Sequence, residues 1–110
     1  MRRNWFYVLL SLAESDRHGL GIMRDVLELT DDDVRLWPAT LYGTLDELRE
    51  HGWVRETDAP SPPVQGADAG HKRWFRITPN GRFALTREVA RMEGIARVAK
   101  KRLLRVGDAT

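Results

Sequence analysis

Leu85, Val89, Met92, Ala96, Ala99, Leu103 and Val106 follow one another at spacings of 4, 3, 4, 3, 4 and 3 residues. An apolar residue every 3.5 positions on average is a heptad seam, the pattern of a helix packed lengthwise on another helix. The helix that carries it is expected to run from about Gly81 to Val106, and at ~1.5 Å per residue it reaches ~38 Å. That is longer than the core of a domain of this size, so part of the seam needs a further surface. A second copy of the chain supplies one most simply, and folding back along the chain's own first helix is the other solution. Gly94 lowers the helix propensity midway without interrupting the spacing.

Upstream of the seam, the apolar pattern predicts three shorter helices. The first spans about Asn4 to Glu14, with Asn4 as its cap and Trp5, Val8, Leu9 and Leu12 at helical spacing. Ser15 to Gly19 breaks it, and the second runs from Leu20 to Leu29 with Ile22, Met23, Val26, Leu27 and Leu29 inward. Asp31, Asp32 and Asp33 form a loop, and Val34 to Trp37 is extended because Pro38 keeps its predecessor out of the helical region. Pro38 has no N–H to leave unpaired and suits the first position of a third helix. Leu41, Leu45 and Leu48 make that helix's buried stripe, Gly52 closes it in a left-handed conformation, and Thr40, Gly43, Thr44 and Glu47 face away, exposed. Trp53 to Thr57 and Lys72 to Thr78 read as strands joined by a long tip, Asp58 to His71, rich in Pro and Gly. No internal repeat is apparent.

With 110 residues and no cysteine, the chain reads as one small globular domain with neither disulfide scaffold nor thiolate zinc site. The apolar run from Trp5 to Ala13 is short of the ~20 residues a membrane span needs, and no cleavage site follows it. The expectation is no signal peptide, no membrane helix and a cytoplasmic location. The net charge of +2 hides an asymmetry: residues 1–59 hold 7 basic and 12 acidic side chains, residues 60–110 hold 11 and 4. The basic half is a candidate polyanion surface, or simply a well-solvated set of helices. His18, His51 and His71 each neighbour a glycine and have no carboxylate partner at metal-ligand spacing. With no phosphate loop and no nucleophile elbow either, neither an enzyme nor a cofactor is expected. His18 and His51 read instead as helix caps.

Three helices, a two-stranded hairpin and a long final helix make a mainly α chain with a small β-hairpin. That is the order of a winged helix-turn-helix followed by a dimerisation helix. Residues 1–80 are expected to form the winged domain, with its wing tip at 58–71, and residues 81–110 the dimerisation helix. In this architecture the third helix can enter a major groove while the hairpin lies over the adjacent backbone or minor groove.

Four segments also resemble the PadR-like transcriptional regulators. His18-Gly19-Leu20-Gly21-Ile22 is similar to the family's His-Gly-Tyr-Glu-Ile, departing at Leu20 and Gly21. Pro38-Ala39-Thr40-Leu41-Tyr42, continued by Leu45-Asp46-Glu47-Leu48 and Gly52-Trp53-Val54, is similar to Pro-Gly-Thr-Leu-Tyr and the Leu-x-x-Leu-x-x-x-Gly-Leu-Ile that follows it. Lys72-Arg73-Trp74-Phe75-Arg76-Ile77-Thr78 is similar to Arg-Lys-Tyr-Tyr-Arg-Leu-Thr, and Pro79-Asn80-Gly81-Arg82 follows it as in the family. The resemblance implies a homodimeric DNA-binding regulator, usually a repressor, whose last helix packs on the partner chain. Ala39 in place of Gly, and Gly43 where Pro is common, imply a groove-facing surface that reads a different sequence.

The expected DNA-contacting residues are Pro38, Ala39, Thr40, Tyr42 and Gly43 on the third helix, with Lys72, Arg73 and Arg76 on the wing. Tyr42 has the alternative of a half-buried ring, and the wing cations that of protecting an edge strand. Asp46, Glu47 and Glu50 must rise out of the groove. Strand alternation makes Phe75 and Ile77 core and leaves Trp74 half-exposed. Arg2, Arg3 and Asn4 form a DNA-reaching arm or a disordered end. A small aromatic effector could lodge where Trp5 meets Met92, Ile95 and Ala96 at the dimer interface, unless Trp5 is plain core. The expected partners are double-stranded DNA with a pseudo-palindromic operator and a second copy of the chain. The competing reading is a winged-helix module that docks on another protein without reading DNA.

Overall fold

The computed structural model describes residues 1–60 and 72–109, with side-chain surroundings through Arg105. Its elements are α1 (Arg3–Glu14), β1 (Arg17–His18), α2 (Gly19–Leu29), α3 (Pro38–Glu50), β2 (Val54–Thr57), β3 (Trp74–Ile77) and α4 (Pro79–Ala109). The strands form one antiparallel sheet in the order β1-β3-β2. This is a winged helix-turn-helix with a long C-terminal helix.

The core is built from one stripe of each element: Val8, Leu9 and Leu12 of α1, Ile22 and Val26 of α2, Leu41, Leu45 and Leu48 of α3, and Phe75 and Ile77 of β3. Burial of these side chains away from water holds three short helices together that would not persist alone. Pro38 opens α3 as the sequence predicts. Gly52 closes it at φ 74°, and the N–H groups of Gly52 and Trp53 donate to the carbonyls of Arg49 and Leu48. His18 caps α2, its Nδ1 accepting from the Gly21 N–H, and His51 Nδ1 lies 3.0 Å from the Glu47 carbonyl at the end of α3. His71 and most of the expected wing tip lie outside the described residues.

Several expectations are corrected. α1 begins at Arg3 with Arg2 as a cap that makes no side-chain bond, so Asn4 is inside the helix. Arg2 and Arg3 form no free arm: they pair with Glu47 and Asp33 at 2.7 and 3.2 Å. Leu29 is 51% exposed at the last position of α2, and Thr44 is buried, on the side of α3 that meets Arg2 and the first turn of α1. The expected break at Ser15 to Gly19 contains β1, whose Arg17 and His18 pair with Phe75 and Trp74. Trp74 is therefore not half-exposed but 6% exposed, with the His18 ring edge-on to it at 4.9 Å.

α4 starts two residues earlier than predicted, on Pro79, and is stitched to the α3–β2 corner. Thr78 Oγ1 donates to the Gly52 carbonyl and accepts from the Gly81 N–H, and the Thr78 N–H donates to the Trp53 carbonyl. The first turns of α4 pack on α1, with Arg82 donating to the Ala13 carbonyl and Leu85 in the core. Glu88 pairs with Arg91 at 2.8 Å and with the Met1 amine at 3.6 Å. Beyond it the helix leaves the domain, and the chain measures 61 × 27 × 26 Å. No helix among the described residues is long and apolar enough to cross a membrane.

The Arg91 hydrogen bonds hold the Glu88 carboxyl at about 2, well below the usual 4.5. A carboxylate lowered by folding stabilises fully above its unfolded pKa, and the benefit is lost as pH falls through the folded one. Glu88→Gln should therefore lower the denaturation midpoint by a constant amount above pH 5, and the gap should close between about pH 4.5 and 2. Urea titrations across that range check it.

Candidate nucleic-acid interface

α3 presents two different surfaces because its leucines recur at i, i+4 and i+7. Leu41, Leu45 and Leu48 are completely buried, while Pro38, Ala39, Thr40 and Gly43 are exposed at the opposite side of the helix start. Tyr42 lies between the two, half-buried, its ring 6.3 Å from Phe75. A Cβ on Gly19 would collide with the Tyr42 hydroxyl, so the glycine at the start of α2 is what admits that ring. Tyr42 thus takes the half-buried alternative and wedges α3 against α2 and the wing.

The acidic residues of α3 fall on its C-terminal half, as DNA binding requires. Glu47 accepts from Trp5 Nε1 at 3.2 Å as well as from Arg2, and Asp46 pairs with Arg49 at 3.8 Å. Glu50 is exposed.

On the wing, β3 is shorter than the expected strand, so Lys72 and Arg73 precede it and only Arg76 lies on it, and both arginines are held by carboxylates. Arg73 donates to both carboxylate oxygens of Glu56 at 2.9 and 3.3 Å, and its guanidinium lies 5.6 Å over the Tyr42 ring and 5.2 Å over Phe75. The Arg73 hydrogen bonds hold the Glu56 carboxyl below the usual carboxylate range and raise the guanidinium in turn. Arg76 is bidentate to Asp16 at 2.6 and 3.0 Å, which joins β3 to the loop before β1. Lys72 is half-buried beside His18. Burial first, then the Lys72 and Arg24 charges, keep the His18 imidazole neutral to lower pH than usual. The sequence showed the cations but not their partners, since a cross-strand ion pair depends on a register set across a long loop.

The seam residues divide at Glu88. Leu85 is buried within the chain, whereas Val89, Met92, Ala96, Ala99 and Leu103 are exposed, Met92 at 43% and Leu103 at 72%. The side chain of Val106 lies outside the described residues. Round the helix from the seam, Ala90, Gly94, Ile95 and Val98 line a second open apolar surface, with Arg91, Ala99 and Arg102. The fold-back alternative therefore holds only for the first turns of α4. Trp5 is not brought to Met92, Ile95 and Ala96 within the chain. Its ring packs edge-on against His51 and Trp53 at 4.7 and 5.6 Å, and Met92 and Ile95 are open. Among the described residues no cluster of His, Asp or Glu could hold a metal.

Comparison with known proteins places this geometry in a family. Residues 8–87 match the model of the transcriptional regulator PadR-like family. The chain is 31% identical over 91 residues to the transcriptional regulator Rv3488 of Mycobacterium tuberculosis, covering 83% of this chain and 77% of that one. Among solved structures, a PadR family transcription regulator from Clostridium difficile R20291 superposes with a TM-score of 0.76 at 17% identity, over 93% of this chain and 99% of that one. Bacillus subtilis PadR, solved in complex with operator DNA, gives 0.64 at 18% identity, over 80% of this chain and 47% of that one. At such identities the two structures are alike in fold.

Proposed function

The chain belongs to the transcriptional regulator PadR-like family, and on that premise we propose that it acts as a homodimer, each α3 entering a major groove of a pseudo-palindromic operator. The observation that carries the reading is the start of α3. Its leucine stripe is spent on the core while Pro38, Ala39, Thr40 and Gly43 stand exposed on a rigid, proline-opened turn. Small residues there let the helix backbone approach base edges closely, and the Thr40 hydroxyl can donate or accept. The exposed stretch of α4 beyond Glu88 supplies the dimer contact, which spaces the half-sites by about one helical turn, ~34 Å. Repression, with transcription blocked while the operator is occupied, is the mode we assign.

Selection of genomic fragments with the purified protein, followed by a salt titration on the enriched element, tests this. A palindromic element with a steep salt slope supports the reading, and no enrichment by a folded dimer overturns it in favour of docking on another protein. Lys72→Ala with Arg73→Ala should weaken binding to all sequences alike and flatten the salt slope by about 0.9 per phosphate lost. Thr40→Ala should instead change the preference among sequences. Because Glu56 holds Arg73, Glu56→Gln should strengthen binding to unrelated duplex DNA, read by fluorescence anisotropy at fixed salt. Intact binding in the double alanine variant at physiological salt would remove the wing from the interface.

An aromatic effector is the further part of the proposal. Bound where Trp5 of one chain meets Met92, Ile95 and Ala96 of the other, it would repack α1 against α4 and change the angle between the two wings. It can do so only through different affinities for two dimer states. Titration calorimetry of the dimer and of its operator complex with small aromatic acids should show weaker binding to the complex. Equal affinities would exclude the compounds tried.

A further inference from the structure

Residues 34–37 bridge the acidic loop and α3, and they alternate strictly: Val34 and Leu36 are buried, Arg35 and Trp37 exposed. The alternation is that of an extended segment, which puts side chains i and i+2 on one face. The guanidinium of Arg35 accordingly lies 5.5 Å from the centroid of the Trp37 ring. The backbone that carries the pair is fixed. Val34 and Leu36 anchor it to the core, Pro38 fixes the following φ, and the Trp37 carbonyl accepts from the Leu41 N–H at 2.9 Å.

Two properties set the pair apart. Trp37 is 64% exposed at the residue that caps α3, where a small polar side chain would ordinarily bond the free N–H groups, and it makes no such bond. Arg35 forms no ion pair among the described residues, whereas Arg73 and Arg76, the wing cations, are bidentate to Glu56 and Asp16. The uncompensated arginine beside the exposed start of α3 is thus Arg35, its guanidinium over the Trp37 ring.

We propose that Arg35 and Trp37 form a base-reading pair that determines operator specificity next to the bases read by Thr40, with Arg35 on a guanine and Trp37 on a neighbouring thymine methyl. The inference rests on the operator reading above. A base edge fits better than a phosphate because the exposed indole beside the guanidinium has nothing to cover on a phosphate. A stacked guanidinium offers a planar fork of two parallel donors, which matches guanine O6 and N7 in the major groove. The open indole surface gains by covering an apolar methyl, the only such group on a base edge there.

The test uses the full-length dimer and the operator found by fragment selection, with each base pair substituted in turn and binding followed by fluorescence anisotropy at constant salt. Arg35→Ala and Arg35→Lys should both erase the preference for guanine at one base pair, on the order of ten- to a hundredfold in the wild type. Trp37→Ala should weaken binding and lose the thymine preference beside it, while Trp37→Phe keeps most of both. Melting curves of the same variants establish that they are folded, which surface positions permit. If Arg35→Ala and Trp37→Ala keep the wild-type preferences while Thr40→Ala changes its own, the operator reading stands and the pair is overturned. Uniform weakening without any change in preference also overturns it, by making the contact one with the backbone. If the wild type selects no DNA, both fall together.

Discussion

A chain carrying both Met92→Glu and Leu103→Glu should purify as a folded monomer and lose operator affinity by about 10²–10⁴-fold. Both side chains are exposed within one chain and neither belongs to the core, so the substitutions remove nothing from the packing around Phe75 and Leu45. In a dimer they would put four carboxylates into an apolar seam, and the desolvation of unpaired charge far exceeds what the lost methyl contacts contribute. A monomer can still place one α3 in one groove. What it loses is the second half-site held at a fixed distance, which is an effective-concentration term and not a contact. Sedimentation measures the oligomeric state, and anisotropy on operator and half-operator DNA separates the two effects. A variant that stays dimeric would show that α4 is not the interface, and a monomer that binds as tightly as the parent would show that one copy reads the whole site.

The elements legible in the sequence are those fixed by local chemistry. Pro38 can begin a helix because of its own ring, Gly52 can end one because it lacks a Cβ, and the leucines of α3 show their stripe within three turns. The heptad spacing of α4 likewise pointed beyond the chain's own core, and the exposure of Met92 and Leu103 agrees. What escaped was set by distant partners. β1 is two residues long, and its pairing joins Arg17 to Phe75 across most of the chain, so turn-forming neighbours hid it. Missing β1 led directly to the misplacement of Trp74, since strand alternation alone does not show a third strand with a histidine laid over the second face. The carboxylate partners of Arg73 and Arg76 escaped for the same reason. Arg35 and Trp37 were within reach: an extended stretch with Val34 and Leu36 turned inward must turn its other two side chains out.

Gly81→Ala should destabilise the fold by about 3 kcal/mol, lowering Tm by roughly 12–24 °C for a domain of this size. A Cβ on Gly81 would overlap the Trp53 carbonyl oxygen, with the Trp53 carbonyl carbon at 3.0 Å and Ile77 Cγ1 at 2.8 Å. Rotating the Ile77 side chain offers no escape, because the nearest obstruction, the Trp53 carbonyl, belongs to the backbone. That carbonyl also accepts the Thr78 N–H at 2.9 Å, so moving α4 away breaks a bond that fixes the corner, and moving β2 away disturbs its pairing with β3. The same chemical change at Gly94 meets nothing within 4 Å. Within one chain the extra methyl only removes backbone freedom from the unfolded state, and Gly94→Ala should stabilise by about 0.5–1 kcal/mol. Thermal melts of the two variants at matched concentration should move in opposite directions. If Gly81→Ala melts with the parent, the close seating of α4 on the α3–β2 corner is wrong, and with it the direction in which α4 leaves the domain toward the proposed partner.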